Sequence, residues 1–94
     1  MSPETLLEYF DGLGKEHPLL RTAPIWTAFE EAARAWDRLT KCETVSQQDV
    51  DALFERILTA RCGFSAWPAL WRGAHDWARD RGFRVPPVGR NGLP

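Results

Sequence analysis

Cysteine is scarce in this chain, with two in 94 residues, and so are histidine, with two, and lysine, with two against ten arginines. Cys42 and Cys62 fall at opposite ends of the third predicted helix. About 15 residues at ~1.5 Å of rise each put them ~20 Å or more apart. A disulfide needs its Cα atoms within ~7 Å, so no internal bridge is expected. Both read as free thiols suited to a reducing compartment, and a cytoplasmic location is the expectation. Zinc needs four converging ligands, and Cys42, Cys62, His17 and His75 form no CxxC, no HxxxH and no close pair. No metal and no cofactor is expected.

Long hydrophobic runs are also missing. No stretch approaches the ~18–20 apolar residues that span a bilayer, and the opening MSPETLLEYF is acidic where a signal peptide would be basic. There is no internal repeat, no low-complexity linker and no convincing strand. Glycine-rich phosphate loops and GxSxG elbows are absent. Without a Glu-x-x-His pair, a di-iron bundle has no ligands. Neighbours on a helix do not face each other, so His75 and Asp76 form no base and orienter, and Glu30 and Glu31 point apart. His75, between polar neighbours, reads as a boundary or exposed histidine. The expectation is a protein that is not an enzyme.

What is plentiful is large apolar side chains. Five tryptophans and five phenylalanines, with a hydrophobic fraction of 44%, supply a core without disulfides or metal. Helical spacing dominates. Ser2-Pro3-Glu4 starts a first helix carrying Leu6, Leu7, Phe10 and Leu13, with Gly12 and Gly14 as its stop. Pro24 opens a second, whose inner stripe is Ile25, Trp26, Phe29, Ala33, Trp36 and Leu39. Ser46 and Asp49 have the spacing of a capping box ahead of Val50, Leu53, Phe54 and Ile57, and Gly63 would end that third helix. A fourth runs from near Ser65, with Pro68 in its first turn, to Gly82. The pattern predicts an all-α, compact bundle of four short helices over residues 1–85, continued by a flexible proline- and glycine-containing tail over 86–94.

Ala60, Cys62, Gly63, Phe64 and Ser65 resemble the ACGFS turn of the helix-turn-helix in the AraC family of transcription regulators, with Leu70 and Arg72 extending the match. That resemblance implies a nucleic-acid-binding regulator whose helix 4 enters the major groove. The family's later aromatic position falls on Ala74 and its closing glycine on Arg79. The first-turn positions, Ala66, Trp67, Pro68 and Ala69, offer no hydrogen-bond pattern to base edges.

Charge is divided unevenly along the chain. Residues 1–60 carry six basic and eleven acidic groups, whereas residues 61–94 carry six arginines against Asp76 and Asp80. A basic C-terminal third suits an acidic partner surface, including the acidic part of a second copy as a homo-oligomer. Tryptophan and arginine are the residue types enriched at interface hot spots, and both concentrate in helix 4. The preferred expectation is therefore a protein partner gripped by Trp67, Trp71, Arg72, Arg79 and Arg84, with no membrane involved. Accessory subunits, immunity or inhibitor proteins and phage-type antagonists all fit. The arginine-to-lysine ratio points by association to a GC-rich bacterial or phage genome. Helix-turn-helix binding of nucleic acid by helices 3 and 4 is the alternative.

Overall fold

Ser2 opens the first helix of the computed structural model, which describes residues 2–94. Its hydroxyl accepts from the Thr5 amide at 3.2 Å, and Pro3 takes the first helical position, where a missing N–H costs nothing. This helix, α1 (Pro3–Glu16), runs past Gly12 and Gly14, which the sequence marks as its stop. Gly14 is there for space: a Cβ would lie 2.7 Å from the Trp26 ring and from Arg21 Nε. A 3-10 turn, Pro18–Thr22, carries the chain into α2 (Pro24–Thr40), again with proline in the first turn.

Helix α3 (Gln47–Thr59) begins with the capping box expected from Ser46 and Asp49. The Asp49 amide donates to Ser46 Oγ at 3.2 Å, and the Ser46 amide donates to Asp49 Oδ2 at 3.0 Å. Ser46→Ala is expected to cost about 1 kcal/mol. In a domain of this size that lowers the melting temperature by about 4–8 °C, which calorimetry would resolve. The helix ends on Ala60 without a left-handed residue, so Gly63 is not its stop. Helix α4 (Ala66–Asp80) does end as expected, at Gly82 with φ of 82°. There the Phe83 amide donates to Ala78 O and the Gly82 amide to Arg79 O, the paired bonds of a Schellman motif.

The result is an all-α bundle of four helices, and among the described residues there is no strand. Helices α2 and α4 pack on each other, and α1 and α3 each pack on both. Small residues allow that central approach. Ala32, Ala33, Ala74 and Ala78 are fully buried, and Trp36 lies so close over Gly73 that a Cβ there would come within 2.4 Å of its ring. Two aromatic groups fill the spaces to either side. Phe10 stacks on Trp26 at 3.7 Å and on Phe29 at 4.4 Å, with Phe64 edge-on to all three. On the α3 side Trp71 stacks on Trp67 at 5.9 Å and meets Phe54 edge-on at 5.3 Å. Lys41 ties α1 to α2 at the surface, reaching Glu4 at 3.4 Å and Asp37 at 3.2 Å. The Asp37 carboxylate, by hydrogen bond and charge, raises the Lys41 ammonium above its ordinary value, with Glu4 adding to the effect.

The last residues are not a free tail. Gln47 at the start of α3 holds Arg84 from both sides, donating to its carbonyl at 3.0 Å and accepting from its amide at 2.9 Å. From there the chain folds back along α4 as far as Gly92, whose φ of 77° makes the turn that returns Leu93 to the core. Residues 84–94 therefore form a strap. The boundary at 85/86 marks only the loss of helical pattern, because the contacts run straight through it.

Candidate protein-binding surface on the last helix

Helix α4 is covered from more sides than an amphipathic pattern implies. Ala66, Trp67, Leu70, Trp71, Ala74, His75 and Ala78 are all buried. What stays exposed is one narrow stripe, Arg72, Asp76, Arg79 and Asp80, at the i, i+4, i+7 and i+8 positions of a helical face.

This placement divides the five expected contact residues. Trp67 and Trp71, expected as aromatic anchors, belong to the core instead, at 2% and 0% exposure. Trp67 is buried between α3 and α4 and donates its indole N–H to Ile57 O at 2.9 Å. The indole N–H of Trp71 donates to Gly92 O at 3.0 Å, under the strap. No tryptophan is among the exposed large hydrophobic residues, which are Tyr9, Leu19, Leu58 and Val88. Arg72, Arg79 and Arg84 are exposed; Arg72 and Arg79 line one cleft on α4, and Arg84 begins the strap against Gln47 of α3. Arg72 donates to Asn91 O at 3.0 Å, and Arg79 pairs with Asp76 at 3.0 Å.

His75 is also corrected: it is buried, not a boundary residue, at 7% exposure. Its ring lies against Trp71 and Phe54, at 5.8 and 6.1 Å between centroids, and the strap closes over it. Nε2 lies 3.1 Å from Pro86 O, and a carbonyl can only accept, so this nitrogen carries the proton. Asp76 is exposed and pairs instead with Arg79 at 3.0 Å. The two neighbours are thus committed to different partners, and no relay links them. Cys42 is exposed and Cys62 half-buried, both free, and the Cys42 thiol donates to Arg38 O at 3.2 Å. Among the described residues no group of three or more His, Cys, Asp or Glu side chains is arranged to hold a metal ion.

Within residues 61–94 the exposed charge is one-sided: all six arginines, Arg61, Arg72, Arg79, Arg81, Arg84 and Arg90, are exposed against Asp76 and Asp80. From α3, Asp51 lies beside Arg84, sharing the Gln47 side-chain amide with the Arg84 carbonyl. A small cleft of about 200 Å3 lies where the strap crosses α4, lined by Arg72, His75, Asp76, Arg79, Val88 and Gly92. Sequence reasoning found the arginines through their number and position. It missed the strap, because side-chain donors on α4 meet main-chain acceptors 11 to 21 residues away and leave no residue-type signature.

Compared with protein-family models, curated proteins and solved structures, the chain matches none. The turn from Ala60 to Ser65 therefore carries no family assignment. Its geometry also differs from a groove reader's in one respect. The first turns of α4, where a recognition helix presents its side chains to base edges, are buried at Ala66, Trp67 and Leu70. No helix among the described residues is long and apolar enough to cross a membrane.

Proposed function

We propose that this chain is a non-catalytic binding module that engages an acidic surface of a partner protein through the arginine edge of α4 and the strap. Arg72, Arg79 and Arg84 are the contact residues. The observation that carries this reading is the concentration of exposed arginine in the C-terminal third, balanced by only two carboxylates. Arginine suits the role because its planar guanidinium forms paired hydrogen bonds to carboxylates and is weakly hydrated, so less is lost on desolvation. Trp67 and Trp71 support the surface from beneath instead of touching the partner. An accessory subunit, an inhibitor or immunity protein and a phage-type antagonist all act by such occlusion or assembly.

The test uses wild-type chain and the Arg72→Glu/Arg79→Glu/Arg84→Glu variant as baits against one extract of the source cells. The three positions are exposed, so the variant is expected to keep the wild-type helical circular dichroism, while loss of the Arg72 bond to Asn91 O and of the Arg79 pair with Asp76 lowers its melting temperature slightly. A protein retained by the wild type and lost from the variant, with retention falling as salt rises, is the expected result. Equal retention by both baits rejects the arginine edge. Retention of nucleic acid in place of protein, with the steep salt dependence of phosphate contacts, would favour a nucleic-acid ligand.

A further inference from the structure

The strap is bound to the rest of the molecule in an unusual manner. Every hydrogen bond that ties it to α3, α4 or Arg61 ends on its main chain. Trp71, Arg72 and His75 donate to the carbonyls of Gly92, Asn91 and Pro86, Arg61 reaches Pro94 O at 3.5 Å, and Gln47 pairs with both backbone groups of Arg84. Beneath it lie the rings of Trp71 and His75, backed by Phe54, with the three centroids 5.3 to 6.1 Å apart. Aromatic walls with side-chain donors aimed at backbone carbonyls are the means by which proteins hold extended, proline-containing peptides. Here the held segment is the chain's own Val85-Pro86-Pro87-Val88 together with the residues up to Pro94.

Recognition through the main chain is tolerant of sequence, so another segment that runs extended past the Pro86 position and turns at the Gly92 position can make the same bonds. Charge decides which segment is better suited. The strap carries Arg84 and Arg90 and no acidic side chain, yet it lies beside Arg61, Arg72 and Arg79. Where it crosses α4 its occupancy sets like charges together, with Asp76 the one carboxylate lining the cleft, while Asp51 lies near only its first residue. We infer that the groove over Trp71 and His75 is a peptide-binding site, closed in cis by residues 84–94, and that its ligand is an acidic, proline-containing segment of a partner protein that follows the strap's path, extended at first and then turning. This deepens the arginine-edge reading and rests on it: the edge attracts the acidic segment, which then takes the place of the strap. Arg72, exposed while the strap is closed, serves both steps.

The experiment titrates the full chain with two synthetic peptides of residues 84–94, one of natural sequence and one carrying Arg84→Glu and Arg90→Glu. Affinity is read from the indole N–H resonance of Trp71. The acidic peptide is expected to shift that resonance and to bind about tenfold tighter than the natural one at low salt. Gly92→Ala, at a φ of 77° that alanine resists, loosens the strap without altering the groove. Because apparent affinity scales with the fraction of open groove, it is expected to improve binding of the acidic peptide about fivefold. Asn91→Ala, which removes the bond from the Leu93 amide, should act in the same direction. Equal binding of the two peptides would overturn the inferred ligand and point to exchange of straps between copies. No shift at Trp71, or no gain in either loosened variant, would overturn strap displacement. If the triple arginine variant still loses the partner in that case, the arginine edge stands and only the displaceable strap falls.

Discussion

Trp71→Ala is expected to cost about 3–5 kcal/mol, and so to lower the melting temperature by about 12–40 °C. A domain of this length has about 5–15 kcal/mol in total, so the variant retains little margin. The reason is the number of structures that meet on one ring. Trp71 is fully buried, stacked on Trp67, edge-on to Phe54 and tilted against His75, and its N–H holds Gly92. Alanine would leave a cavity where two elements and the strap converge, and neighbours on rigid helices cannot collapse into it fully. Trp71→Phe separates the contributions. It keeps most of the ring but loses the donor, and a half-exposed carbonyl left without that partner costs only about 1 kcal/mol. Its signature is local: amide exchange at Gly89 and Gly92 should accelerate while the amides of α2 and α4 keep their protection. If Trp71→Phe destabilises the domain as severely as Trp71→Ala, the strap bond is not a separable contact.

The fate of Trp71 also marks where local pattern stops being informative. The capping box of α3 was legible because Ser46 and Asp49 are three residues apart and satisfy each other's backbone groups without help from elsewhere. The inner stripe of α2 was legible because spacing decides which residues share a face. Spacing does not say how many faces of a helix will be covered. Helix α4 has α1, α2 and α3 around it and a strap across it, which leaves Trp67 and Trp71 nowhere to emerge. The arginines stayed candidates for the opposite reason: a guanidinium without a buried partner stays in water whatever the fold. Glycines misled in a similar way. Gly12 and Gly14 look like a helix stop, yet Gly14 exists to admit Trp26, a residue on a different helix. A glycine that makes room for a distant ring looks identical, in sequence, to one that turns the chain.

Gly73 and Trp36 turn that ambiguity into a measurement. Trp36→Ala is expected to cost about 3–5 kcal/mol, the usual range for a core tryptophan. In this case packing supplies the whole effect, because the Trp36 indole N–H is buried without a hydrogen-bond partner, and its removal breaks no bond. The diagnostic comes from Gly73→Ala. In an exposed helix interior this change stabilises by about 1 kcal/mol. In the native protein the new Cβ would sit 2.4 Å from the Trp36 ring, so the ring must move, and overpacking of this kind costs about 1–3 kcal/mol. Gly73→Ala is therefore expected to be neutral to destabilising alone, yet stabilising in the Trp36→Ala background, where the space above it is vacant. The sign reversal corresponds to a coupling of about 1–3 kcal/mol between residues on different helices, readable from four urea denaturation curves. Additive effects, with Gly73→Ala stabilising by the same amount in both backgrounds, would mean that Trp36 does not close against α4 and that the central pair of helices is packed differently.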